Sequence, residues 1–162
     1  MDLHNPIGQE GPNVDAQREA MKKLNFIVGK WSGDALVMRG PGEQMRLRQR
    51  EEVQYKLDGL VMLIEGAGRN GEGQIEFQAL AIISYDDTTS TYRFRAYNDG
   101  RYLDTALTVS PNGFAWGYTF GPVKVNNTMQ IDDKGDWVET TETIFGSSPP
   151  RKSVQMNLRR LE

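Results

Sequence analysis

The chain has no cysteine and one histidine, His4, among 162 residues. The first absence excludes disulfides, a thiolate zinc site and a cysteine nucleophile. The two together leave no cluster of Cys and His ligands for a transition metal, and His4 is misplaced for a Ser-His-Asp set. No apolar run approaches the ~20 residues that a membrane-spanning helix needs. Neither sign of charge dominates: 19 Lys and Arg face 22 Asp and Glu, a net charge of −3, with a pI of about 5.3. Global charge therefore gives no reason to expect nucleic acid or an anionic membrane as partner. The opening residues Met1-Asp2-Leu3-His4-Asn5-Pro6-Ile7-Gly8 lack the basic and apolar regions of a signal peptide. A cytoplasmic protein is the expectation, the alternative being a mature exported form without its leader.

What is present is turn chemistry and a period of two. At 38% hydrophobic and 25% charged residues, the chain is long enough for one domain with a sizeable core. Residues 1–12, rich in Gly, Pro and polar types, read as a flexible N-terminal arm. Asn13 or Asp15 is a fitting cap for a short helix through about Leu24, with Ala16, Ala20, Met21, Leu24 and Phe26 near one face. From Trp31 onward the pattern alternates. Strands are expected over Trp31–Met38, Met45–Lys56, Leu60–Gly66, Phe77–Tyr85, Tyr92–Tyr97, Tyr102–Val109, Phe114–Phe120, Val123–Ile131, Trp137–Phe145 and Val154–Leu161. Turn residues separate them, among them Gly40-Pro41-Gly42, Asp58-Gly59, Asn98-Asp99-Gly100 and Asp132-Asp133-Lys134-Gly135. Such short links permit antiparallel neighbours and leave no room for βαβ crossovers. The expected fold is all-β: a single up-and-down antiparallel β-barrel of about ten strands with a short N-terminal helix, occupying residues 13–162. Closure would remove the edge strands that a polar, Gly-rich meander otherwise exposes.

Several strand faces carry chemistry. Phe114, Trp116, Tyr118 and Phe120 share one face, which suits core packing or an aromatic cavity wall. In the Tyr92–Tyr97 strand, Tyr92, Phe94 and Ala96 lie on one face and Arg93, Arg95 and Tyr97 on the other. If the Arg face points inward, its planar guanidinium groups suit a ligand carboxylate; if it points outward, it is a solvated surface. Arg46, Arg48 and Arg50 form a basic stripe without the interleaved aromatics of a single-strand nucleic-acid binder. The acid–base candidates are Glu51, Glu65, Glu76, Asp104, Glu139 and Glu142. Glu51 shares a face with Leu47 and Val53, and Glu139 with Trp137 and Thr141. A carboxyl on an apolar face is either paired or has a raised pKa. Asp132 to Asp136 resembles a calcium loop only superficially, and Gly66-Ala67-Gly68-Arg69-Asn70-Gly71 resembles a phosphate loop only in its glycines, no helix following it.

Phe26-Ile27-Val28-Gly29-Lys30-Trp31-Ser32-Gly33, after a helical turn and before a meander, resembles the calycin superfamily of lipocalins, fatty-acid-binding proteins and nitrobindins. With Leu24 and Asn25 included, it is most similar to bacterial lipocalin-like domains of unknown function. The resemblance implies that Trp31 packs across the closed end of the barrel beside Gly29, near an Arg of the last strand; Arg159 or Arg160 fits, and Arg159 is taken as the candidate. Nitrobindin-like barrels hold haem through a His near the C-terminus, whereas this chain's one His is His4, so no cofactor is expected.

The expected function is non-covalent binding of a small hydrophobic or amphipathic, potentially acidic, ligand inside the barrel. Arg93, Arg95, Tyr97, Phe94, Trp116 and Tyr118 are the candidate ligand-binding residues, with Gly29, Trp31 and Arg159 closing the barrel and no metal site. Two alternatives stand beside it. One is a barrel enzyme of the isomerase or cyclase type using an inward carboxyl, Glu51 or Glu139. The other is a ligand-free structural module forming a homodimer.

Overall fold

The structure is a computed structural model that describes residues 11–162. The first ten residues of the expected arm, with His4, lie outside them. Asn13 caps α1 (Val14–Met21), its side chain accepting from the Ala16 N–H at 3.0 Å. A 3₁₀ turn (Lys22–Ile27) continues the helix beyond its expected end. Ten strands follow: β1 (Gly29–Gly40), β2 (Glu43–Lys56), β3 (Val61–Arg69), β4 (Ile75–Asp86), β5 (Thr91–Asn98), β6 (Arg101–Ser110), β7 (Gly113–Phe120), β8 (Val123–Ile131), β9 (Trp137–Phe145) and β10 (Arg151–Arg160). Each strand pairs antiparallel with its successor, and β1 also pairs with β10, so the sheet closes on itself and leaves no edge. Among the described residues no helix is long and apolar enough to cross a membrane.

The turns follow from residue type. Asp99 and Gly100 both take positive φ (49° and 76°), the backbone that a two-residue hairpin needs. Leu57, Asp58 and Gly59 do the same between β2 and β3. Two expected boundaries are off by three residues: β10 begins at Arg151 rather than Val154, and β3 runs on to Arg69. Gly66 and Gly68 do not end β3 but sit within it, facing β2 across from Glu51 and Gln49. The turn comes later, at Asn70 to Gly73, where the Asn70 side chain accepts from the N–H groups of Glu72 and Gln74.

The helical segment covers one end of the barrel. Met21, Leu24 and Ile27 are fully buried there. Two tyrosines pin the last helical turn from below: Tyr92 Oη donates to the Ala20 carbonyl at 2.6 Å and Tyr55 Oη to the Met21 carbonyl at 2.7 Å. Both carbonyls lie where α1 passes into the 3₁₀ turn.

Trp31 lies under this lid. It is 1% exposed, donates from Nε1 to the Ile27 carbonyl at 2.9 Å, and meets Trp137 edge-on at 5.5 Å between ring centroids. The arginine that closes this end is Arg160, not Arg159. The Arg160 guanidinium stands 4.2 Å over the Trp31 ring and donates to the Phe26 carbonyl at 2.7 Å and to the Val28 carbonyl. Arg159 projects the other way, as alternation along β10 requires, with its side chain 84% exposed and 4.0 Å from Asp136. Gly29, at φ +131°, sits where a side chain would strain the backbone and crowd Arg160.

One seam of the barrel is only partly sewn. Among the described residues β6 and β7 pair at Thr108↔Ala115, Val109↔Phe114 and Ser110↔Gly113, all near the helix end. Toward the open end the two strands splay, and Thr105 Oγ1 donates to the Gly117 carbonyl at 3.0 Å in place of a backbone ladder.

Candidate functional site

The barrel encloses a cavity of about 1140 Å³. Its space comes from small residues on one wall and glycines on the next. Ala79 and Ala81 of β4 and Ala96 of β5 face inward, and Ala35 of β1 joins them. The adjoining wall is aromatic. Trp116 of β7 stacks on Phe94 of β5 (centroids 5.1 Å, planes 17° apart) and on Tyr118 (6.3 Å, 7°). Phe114 and Trp137 form the floor. Tyr102 and Asp104, outer-face residues of β6, also border the cavity. It therefore opens through the splayed β6–β7 seam as well as through the end away from the helix.

Deep in this apolar chamber sits a polar group that strand alternation places without exception on inward faces. β2 contributes Gln49 and Glu51, 1% and 8% exposed; β8 contributes Asn127, 1% exposed; β9 contributes Glu139 and Thr141. Gln49 Nε2 donates to Glu51 Oε1 at 2.8 Å, Trp137 Nε1 to Glu139 Oε1 at 2.9 Å, and Thr141 Oγ1 to Asn127 Oδ1 at 2.7 Å. The glycines of β3 make room for this group. A Cβ at Gly66 would stand 2.7 Å from the Glu51 carboxyl carbon, and one at Gly68 2.6 Å from Gln49 Oε1.

Burial dominates the electrostatics. It pushes the Glu51 carboxyl up to about 8, with the nearby Glu139 charge adding to the effect and the Gln49 hydrogen bond opposing it. Burial likewise pushes Glu139 up to about 7 against the hydrogen bond from Trp137 and the adjacent amide of Asn127. At neutral pH Glu51 is thus mainly a protonated acid, and Glu139 is close to its midpoint. The Asn127 amide stands near enough to ease Glu139 ionisation, yet Nδ2 makes no hydrogen bond of acceptable geometry. An amide nitrogen left this way carries an uncompensated desolvation penalty.

The residues picked from sequence divide between inside and outside. Phe94, Trp116 and Tyr118 line the cavity. Arg93 and Arg95 do not; they point outward and share Asp104, at 3.3 Å and 2.8 Å. The condition under which they would clamp a ligand carboxylate is not met. The Asp104 carboxyl is held below its ordinary value, first by the Arg95 hydrogen bond. Tyr97 also faces outward, packed near Tyr102 at 6.3 Å, in a more open outer depression of about 820 Å³ bordered by Arg50, Glu52, Glu65 and Leu80. Arg46 and Arg48 are surface groups beside Asp34, at 3.9 Å and 3.6 Å. Sequence reasoning missed Gln49, Asn127, Gly66 and Gly68. The signal was there in period two: Gln49 shares its face with Leu47 and Val53, and Asn127 shares its face with Val125 and Met129.

No family model and no curated protein matches the chain. Among solved structures it is similar to the crystal structure of Rv2717c from M. tuberculosis, at a TM-score of 0.66 and 10% identity, covering 88% of this chain and 98% of that one. At that identity the likeness is one of fold alone.

Proposed function

We propose that residues 13–162 form a calycin-like barrel domain that binds a small, largely apolar molecule non-covalently in its interior. The observation that carries this reading is the cavity of about 1140 Å³, lined by alanines and by the adjoining Phe94–Trp116–Tyr118 stack. Ligand pockets are commonly about 300–1,000 Å³ and mainly apolar, with a few convergent polar groups. A ring system burying ~200 Å² gains about 5 kcal/mol at ~25 cal/mol per Å², from which association costs are subtracted. The interior polar groups are carboxyls and amides, and the guanidinium groups once considered for an acidic ligand lie outside. A carboxylate head group would meet like charge at Glu139.

The test is titration with N-phenyl-1-naphthylamine, a neutral probe whose emission rises in apolar surroundings. Binding is expected, with energy transfer from Trp116, and it should weaken in Ala96→Trp, which fills the chamber while circular dichroism confirms the barrel. Failure of the wild-type protein to bind, or equal binding by the filled variant, would overturn the reading.

A second reading has its own support. Two inward carboxyls with raised pKa values beside open space suit general acid–base work on an apolar substrate. In that reading the protonated Glu51 donates and the ionised fraction of Glu139 accepts. Loss of turnover in both Glu51→Gln and Glu139→Gln, against any substrate found, is its test.

A further inference from the structure

Resting on the cavity reading, we propose a ligand class: the site takes an organic cation, a protonated amine on an apolar body, with its ammonium group held between Glu51 and Glu139.

Three observations converge. Glu51 and Glu139, on β2 and β9, face the same chamber, and each has one carboxyl oxygen engaged, by Gln49 and by Trp137. Among the described residues no other side-chain hydrogen bond of acceptable geometry reaches either carboxyl, the Asn127 amide lying beside Glu139. Neither carboxyl has an ion-pair partner among them, although Glu51 also borders the outer depression that Lys30, Arg50 and Arg101 line. The other charged or titratable residues bordering the cavity are Arg101, Tyr102 and Asp104 of β6 and Tyr118 of β7. Arg101 and Tyr102 are exposed at the start of β6, Asp104 is engaged by Arg93 and Arg95, and Tyr118 is 40% exposed. β1, β3, β4, β5, β8 and β10 present no titratable side chain to the cavity. The buried Glu51 and the half-buried Glu139 resist ionising together without a counter-ion, and a cation relieves that. The aromatic wall adds a surface that attracts cations.

The second sign is Asn127. Its side chain is 1% exposed and borders the cavity, and Nδ2, beside Glu139 and close enough to ease its ionisation, makes no hydrogen bond of acceptable geometry. A donor so poorly placed on its neighbour is free to turn to a better acceptor. The fitting ligand therefore carries an oxygen close to its nitrogen, as an amino alcohol does, so that Asn127 donates to the oxygen while the carboxyls accept from the ammonium.

The same arrangement ties binding to protons. Glu51 holds a proton at neutral pH and Glu139 part of one, and an incoming ammonium favours their ionised forms. Amine binding should release protons into the buffer. It should also strengthen as pH rises from about 5 to about 8, while the amine itself stays charged.

Octylamine, octanol, octanoate and the eight-carbon amino alcohol share one apolar body and differ in the head. Each is titrated against the bound neutral probe N-phenyl-1-naphthylamine, and calorimetry in two buffers of different ionisation enthalpy counts protons. Octylamine is expected to bind at least about tenfold tighter than octanoate, with proton release. The amino alcohol should bind tighter still, by a margin that Asn127→Ala abolishes. In Glu51→Gln and Glu139→Gln, checked for folding by thermal unfolding, the ratio of amine to octanoate should fall by about tenfold or more. Equal displacement by all heads, or a preference for octanoate, overturns the cation assignment and leaves the cavity reading standing. Failure of the probe and of every head to bind overturns both.

Discussion

Glu51 makes the stability of this barrel fall with rising pH, opposite to the usual behaviour of a carboxylate. Its ordinary value is 4.5 and burial lifts it to about 8. Between those values the unfolded chain has lost the proton and the folded chain keeps it. The folded state binds more protons, so unfolding free energy decreases as pH rises, by about 1.4 kcal/mol per pH unit for each extra proton. The effect is absent below the unfolded value, accumulates through the window, and levels off once the folded group ionises. Glu139, lifted to about 7, adds to the fall over the lower part of the same window. Carried through in full, Glu51 alone would contribute a loss of order 5 kcal/mol, a large part of the 5–15 kcal/mol that holds a typical domain. Water reaching the carboxyls through the cavity mouth screens part of this, and the expected loss is about 2–4 kcal/mol between pH 5 and pH 8. Among the described residues the other perturbed groups act outside this window: Asp87 and Asp104 are lowered and act at more acidic pH, while Tyr55, Tyr92 and Arg95 are raised and act at more basic pH. Urea unfolding at unit steps of pH measures the slope. Glu51→Gln keeps the shape and an oxygen to accept from Gln49, but has no proton to lose. It should match the wild type near pH 5 and exceed it by about 2 kcal/mol or more near pH 8. A wild-type stability that is flat or rising over that window would refute the argument, as would an unchanged slope in the variant.

The same geometry makes further predictions. Arg160→Ala should lower stability by about 1–3 kcal/mol in thermal or urea unfolding, since it removes the cation over Trp31 and the donor to two carbonyls, whereas Arg159→Ala should change little. Gly33→Ala should prevent folding or cost about 3 kcal/mol or more, because its Cβ would collide with the β10 backbone at Asn157 and Leu158, which has nowhere to go. Gly66→Ala should fold, since the atoms met are the movable end of Glu51, but its pH slope should flatten as the carboxyl is pushed into the cavity. Thr105→Val should leave stability within about 1 kcal/mol and speed probe exchange in stopped-flow, because it removes the side-chain bridge across the splayed β6–β7 seam.

Local signals carried most of the fold. Hairpin residues such as Asn98-Asp99-Gly100 set strand ends to within one or two positions, and Asn13 marked the helix start. Alternation also put Glu51 and Glu139 on apolar faces, where they are found. What local pattern lacks is distance across a barrel. β2 and β9 do not pair with each other, so nothing near either glutamate in sequence shows that they share one cavity. The arginine of β10 illustrates the same limit. Arg159 and Arg160 are adjacent, and a single step of register decides which one reaches Trp31. The glycines of β3 misled for a different reason. Gly66 and Gly68 are turn residues by propensity, yet they sit in a strand because a side chain there would occupy the space of Glu51 and Gln49.

The placement of those glycines bears on why the interior is polar at all. A ten-stranded barrel of this length closes perfectly well on apolar side chains, as its helix end shows with Met62, Ile83, Leu158 and the two tryptophans. Halfway along, the chain does the reverse. It buries the Glu51 carboxyl and two amides, turns the half-buried Glu139 inward beside them, leaves the Asn127 amide nitrogen without a well-formed hydrogen bond, and removes side chains from β3 opposite Glu51 and Gln49. Each of these choices lowers the stability of the empty barrel relative to an aliphatic replacement. None repairs a defect in the strand ladders, because the flanking pairs from Arg48↔Arg69 to Lys56↔Val61 are continuous without them. The unfavourable features are concentrated in one chamber, on inward faces only, with an aromatic wall beside them. A ligand that satisfies the carboxyls and Asn127 would raise the unfolding free energy in proportion to its binding, and most steeply where the empty protein is weakest, near and above neutral pH.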